Sequence, residues 1–114
     1  MVVIDASVAV KWFVAEPDSA AARRIAVGED LAAPEWLKLE VAHALDRRRR
    51  AGTVTMAECR GAVRQLKEVV RLFPAPPLVE PGQELAAMYD LTVYDAVYLA
   101  LGLQIGRASC RERV

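Results

Sequence analysis

Histidine and cysteine are nearly missing from this 114-residue chain, which has one His, His43, and two Cys, Cys59 and Cys110. Two cysteines make no disulfide framework, so a reducing, cytoplasmic setting is expected. With one histidine and no Cys/His cluster, zinc has no ligand set. A surplus of charge is missing too. Fifteen Lys and Arg balance fifteen Asp and Glu, so no global field argues for nucleic acid and any basic surface must be local. No apolar run approaches the roughly 20 residues of a membrane span. Asp5 interrupts the opening apolar residues too early for a secretory signal. A disulfide scaffold, a zinc module and a membrane-spanning protein are thereby set aside.

What is present suits one soluble domain. The chain is 54% hydrophobic and 26% charged, and a chain of this length buries roughly 65% of its unfolded surface. Val2–Ile4 is a short β-branched run that reads as a central parallel strand. A short helix around Val8–Val14 follows. Glu16-Pro17-Asp18-Ser19 breaks and restarts the helical pattern, which then runs over Ala20–Val27 to Gly28. Leu31–Ala33 is a weak strand candidate stopped by Pro34. The pattern from Glu35 predicts a strong helix to about Arg50, with Gly52 just past its end. Thr55 and Glu58 have capping-box spacing and open a further helix to about Val70. Leu72-Phe73 reads as a possible strand, and Pro74-Ala75-Pro76-Pro77 as an extended connection. Helices at about Gly82–Tyr89 and Thr92–Leu103 complete the pattern. Strands alternating with helices predict an α/β fold with right-handed crossovers.

Three acids stand where apolar residues are expected. Asp5 follows the first strand directly, at the carboxyl end where open α/β sheets bind ligands. Its other reading is a cap, by Asp5 or Ser7, on the helix that starts near Val8. Glu40 lies within a helical stripe made by Trp36, Leu37, Val41, Ala44 and Leu45, as a break in the apolar pattern or as an edge residue reaching water. Asp95 shares a helix side with Tyr98 and Leu99, yet Thr92 and Asp95 also have capping-box spacing. Carboxylates brought together repel, and a hard divalent cation relieves that repulsion at neutral pH. Mg²⁺ takes oxygen ligands, keeps several waters, and needs only one or two carboxylates plus a substrate phosphate. His43 reads as a packed or exposed neighbour of Glu40 rather than a base.

Three segments carry a family resemblance: Val3-Ile4-Asp5-Ala6-Ser7, Ala33–Leu45 around Glu40, and Thr92–Leu101 around Asp95. In order and spacing they resemble the PIN-domain ribonucleases, in particular the toxin of bacterial VapBC-type toxin–antitoxin pairs, over about residues 1–103. The resemblance implies a PIN-like three-layer α/β fold with a short parallel sheet. It implies that Asp5, Glu40 and Asp95 form a catalytic site for Mg²⁺ or Mn²⁺, with Ser7 beside them orienting Asp5 or a water. It further implies an RNA substrate, a small antitoxin that blocks the acidic groove, and a homodimer. From another class, the alternative is a catalytically inactive PIN-like module that binds an antitoxin peptide. A phosphoryl-transfer enzyme with Asp5 as nucleophile is less well supported, since Ser7 stands where its usual signature has a second Asp.

The end of the chain departs from the family pattern. Relatives continue from the Asp95 helix into a strand ending in a fourth acid, commonly within Thr-Ala-Asp. Here Gln104 is followed by Ile-Gly-Arg-Ala-Ser-Cys-Arg-Glu-Arg-Val, the peptide a common sequencing adapter encodes in frame. Residues 1–104 are therefore expected to be an incomplete PIN-like domain, C-terminally truncated, and residues 105–114 a non-native tail. Without that tail's three arginines and one glutamate the counts fall from 15 and 15 to 12 basic and 14 acidic residues, a net charge of −2. Arg47, Arg48, Arg49 and Arg50 have two readings. Their guanidiniums complement the dipole at a helix C-terminus, or they contact RNA phosphates.

Overall fold

The computed structural model describes the backbone of residues 1–112 and the side chains of residues 1–106. The chain forms β1 (Val2–Val3), α1 (Ala6–Val10), α2 (Ser19–Gly28), β2 (Leu31–Pro34), α3 (Leu37–Arg50), α4 (Met56–Val69), β3 (Val70–Phe73), α5 (Pro76–Tyr89) and α6 (Val93–Glu112). The three strands pair in parallel in the order β1-β2-β3. The short segment Leu31–Pro34, weak as a strand by sequence, is the middle of the sheet and is buried along its whole length. β1, expected to be central, lies at an edge among the described residues, and Val2 is partly open to water. Small alanines suit a middle strand here because helices close on both of its faces.

Alternation along β2 sorts the core into two halves. Leu31 and Ala33 face one cluster, with Leu37, Val41 and Leu45 of α3 and Ala62 and Leu66 of α4. Ala32 faces the other, with Leu78 of α5 and Val97, Ala100 and Leu101 of α6. The molecule is therefore three layers, helices on each side of a short parallel sheet. A Cβ on Gly82 would fall 2.5 Å from Val97 Cγ2, so this glycine lets α5 lie close against α6.

Local signals act where the sequence carries them. Thr55 Oγ1 accepts from Glu58 N while Glu58 Oε1 accepts from Thr55 N, closing the capping box of α4. Gly52 takes a positive φ of 82° just beyond α3. Buried Ser19 donates to Val14 O and accepts from Glu16 N, closing the turn around Pro17.

Two further expectations are corrected. Pro76 and Pro77 are not an extended connection but the first turn of α5. Proline fits there because the first helical N–H groups have no intrahelical acceptor and the ring presets φ. The last helix also continues beyond Leu103 to Glu112, and Ile105 packs against the α5–α6 core. The expectation of a non-native tail over 105–114 falls mostly on side chains outside the described residues.

Candidate active site

Each candidate acid is set at the start of a helix. Asp5 is the N-cap of α1, Glu40 lies in the first turn of α3, and Asp95 in the first turn of α6. The positive end of a helix dipole favours an anion there by about 0.3–1 kcal/mol at exposed sites. This lets acids gather without a cation in the fold. All three line one cavity of about 470 Å³ at the carboxyl end of β1, with Val3, Ile4, Ala6, Ser7 and Tyr98. No Lys, Arg or His is among those lining residues.

The two readings of Asp5 hold together. Its Oδ1 accepts from Val8 N at 3.2 Å as a helix cap and from Ser7 Oγ at 2.6 Å. Among the described residues Oδ2 has no hydrogen-bond partner. For Asp95 the capping box is half made. Thr92 Oγ1 accepts from Asp95 N at 3.1 Å, but no return bond from the Asp95 carboxylate occurs among the described residues. Glu40 is half-buried and its Oε1 accepts from the Tyr98 hydroxyl at 3.0 Å. Burial pushes the Tyr98 phenol well above its ordinary value, and the charge and hydrogen bond of Glu40 push it the same way. Tyr98 is thus a fixed donor at any physiological pH.

By sequence Trp12, Trp36, Tyr94 and Tyr98 read as core or dimer-interface residues rather than base-stacking platforms; Tyr98 and Trp36 do pack against the core, and Tyr98 also forms a wall of the cavity. The signal was its i+3 spacing from Asp95, which puts both on one side of α6. Behind it, Trp36 stands edge-on to Tyr94 and Tyr98, with ring centroids 5.8 and 6.3 Å away. The Trp36 Nε1–H is buried and forms no well-made hydrogen bond among the described residues. Its position rests on packing.

The arginine run lies elsewhere. Seven to ten residues beyond Glu40 on α3, it begins roughly 10 Å along the axis from the acid and does not line the cavity. Arg49 and Arg50 pair with Asp46, and Arg48 reaches across to Glu16. Arg47 is exposed and has no ion pair among the described residues. The Arg49 hydrogen bond holds the Asp46 carboxyl below its ordinary value, with further pull from the charges of Arg49, Arg50 and His43. His43 itself is exposed and is not a cavity residue.

The donor set fits a hard cation by its chemistry, since every candidate ligand is an oxygen and no soft donor is near. It does not form a closed cage. Among the described residues no three His, Cys, Asp or Glu side chains gather tightly enough to hold an ion alone. A divalent ion at such a site would be held through one or two carboxylates, with water and phosphate completing its shell. No helix among the described residues is long and apolar enough to cross a membrane.

Comparison with curated proteins gives no match. The family model of the PIN domain matches residues 2–108, nearly the whole chain and all three acid-bearing segments. Three acids from three helix starts, one cavity and a match of that extent lead to one conclusion: the chain belongs to the PIN domain family, whose members are generally metal-dependent nucleases.

Proposed function

We propose that the chain is a metal-dependent endoribonuclease, the toxin of a toxin–antitoxin pair, that hydrolyses RNA phosphodiester bonds. The observation that carries this reading is the shared cavity of Asp5, Glu40 and Asp95, which has no cation among its lining residues. Family membership supports the nuclease class. The ordered motifs around the three acids support the toxin assignment, and with it a small antitoxin and a homodimer as partners.

In this reading Asp5, Glu40 and Asp95 hold Mg²⁺ or Mn²⁺. The bound cation stabilises charge on the scissile phosphate and makes an attacking water more acidic. The chain's own groups keep the ligands ready. Ser7 occupies Asp5 Oδ1 and leaves Oδ2 for the cavity. Tyr98 fixes Glu40 through Oε1 and, staying protonated, brings no competing negative charge. No side-chain nucleophile is required. Of the arginines, Arg47 is the one suited to an RNA phosphate, because Arg48, Arg49 and Arg50 already serve acids within the fold.

Replacing Asp5 by Asn tests the mechanism. Asn keeps the shape while removing a repelling ligand charge, so in a completed chain RNA cleavage in Mg²⁺ is lost and thermal stability is unchanged or slightly raised. Undiminished cleavage by Asp5→Asn, or by the unaltered chain in excess chelator, overturns it. The open spacing of the acids favours one alternative, an inactive PIN module that binds an antitoxin peptide. The absence of cleavage, in both Mg²⁺ and Mn²⁺, by a chain completed with the family's C-terminal strand and fourth acid selects that alternative. The tail proposal has its own test: codons for 105–114 that differ from the adapter reject it.

A further inference from the structure

Tyr94 is the most exposed aromatic residue among those described, at 70%. It precedes Asp95 directly and lies one turn before Tyr98, so on α6 it flanks the acid cavity on the side where Tyr98 forms the wall. Its ring is not loose. Trp36 meets it at 5.8 Å with an interplanar angle of 81°, and meets Tyr98 in the same manner at 6.3 Å and 78°. An edge-to-face contact of this kind occupies at most one face of the tyrosine. Most of the residue is open to solvent, directly before Asp95 in the first turn of α6. A large ring left in water loses the apolar stabilisation that burial brings, and no contact in the fold accounts for its exposure.

We propose that Tyr94 is a base-stacking residue of the candidate active site, taking one nucleobase of a single-stranded RNA on its open face while Trp36 braces it from the side. The inference rests on the nuclease reading and names how that site grips its substrate. Stacking needs only a ring face, tolerates any base and adds no charge. Those properties suit a cavity whose other groups are acids and whose affinity for phosphate must come from a cation. A protein interface centred on Tyr94 is less well matched, because the next residue, Asp95, is an exposed carboxylate. The buried centres of protein interfaces are depleted in such charges. Tyr94 is a positioning residue: it touches a base and leaves the reacting phosphate to the acids.

The test uses the full chain and a short single-stranded RNA of mixed sequence, bound in Ca²⁺ and cleaved in Mg²⁺. Tyr94→Ala weakens binding by roughly ten- to a hundredfold, the range that loss of one stacked base produces. It raises KM with little change in kcat, and circular dichroism stays unchanged because the side chain is exposed. Tyr94→Phe restores binding, since the ring face is kept. An RNA with a single abasic nucleotide at the contacted position binds the unaltered chain as weakly as intact RNA binds Tyr94→Ala, and binds that variant no worse. Equal binding by Tyr94→Ala and the unaltered chain overturns the inference. In that case loss of cleavage in Asp5→Asn still leaves the nuclease reading standing. Conversely, binding that depends on Tyr94 without any cleavage supports the stacking residue and removes the nuclease. A change of oligomeric state in Tyr94→Ala with RNA binding intact assigns the ring to a protein interface and rejects the proposal. No RNA binding by the unaltered chain rejects both.

Discussion

At the C-terminal end of α3, Asp46 pairs with Arg49 and Arg50 and Arg48 reaches Glu16, whereas at the N-terminal end Glu40 shares a cavity with Asp5 and Asp95 and has only a phenol as partner. One helix thus has a paired end and a charged end. The paired end can be understood largely from the fold: cations sit where the helix dipole favours them, and Asp46 and Glu16 pair with every arginine of the run but Arg47. The charged end cannot. Three carboxylates with no cation lining their cavity repel one another, and helix starts offset only part of that repulsion. In the proposed reading a bound cation supplies the missing charge there.

Breaking the helix that joins the two ends has the largest expected effect. Leu45 is almost fully buried midway along α3, and Leu45→Ala should cost about 2–5 kcal/mol through lost burial and the cavity left behind. Urea denaturation measures it, and both ends should loosen together. A loss confined to one end would show that they are not coupled through α3.

A smaller effect sharpens the contrast at the acidic end. Mg²⁺ should raise the melting temperature, by an amount equivalent to about 2.7 kcal/mol at a hundredfold excess over Kd. Asp5→Asn should reduce that rise, while the unliganded protein melts no lower. Equal shifts in both proteins would place the cation somewhere else. At the opposite end, Arg48→Ala should cost about 1 kcal/mol. The Arg48–Glu16 pair is partly exposed, with 34% and 25% of the side chains open, so its worth lies between that of a surface pair and a buried one. Its loss should leave RNA cleavage and the Mg²⁺ response unchanged.

The smallest effect is a pH dependence. Asp46 has a depressed pKa, chiefly through its hydrogen bond from Arg49. A depressed carboxyl stabilises the fold above its unfolded pKa of about 4 and loses that contribution as pH falls through the folded value. Asp46→Asn should therefore be less stable than the unaltered protein at neutral pH, with the gap closing below about pH 4. A gap that is constant from pH 7 to pH 2 contradicts this assignment.

Features set by neighbours a few residues apart were legible in the sequence. The Thr55–Glu58 box, the stop at Gly52, the capping position of Asp5 and the helical setting of Glu40 and Asp95 all follow from spacing, because one turn of backbone brings those groups together whatever else the chain does. The alternation of strands and helices was enough for the α/β class. Features set by distant neighbours were not legible. Leu31–Pro34 is a poor strand on its own terms and becomes the middle one because β1, β3 and two helical layers close around it. Pro76 and Pro77 look extended until a helix begins at them. The Tyr98–Glu40 bond spans 58 residues and the Arg48–Glu16 pair 32, distances over which no local spacing carries information. The residue types able to bind a cation were thus written in the chain. Which of their oxygens share a cavity, and which arginines are already taken, was decided by the packing of α1, α3 and α6 about the sheet, since only tertiary contact can bring such distant side chains within reach.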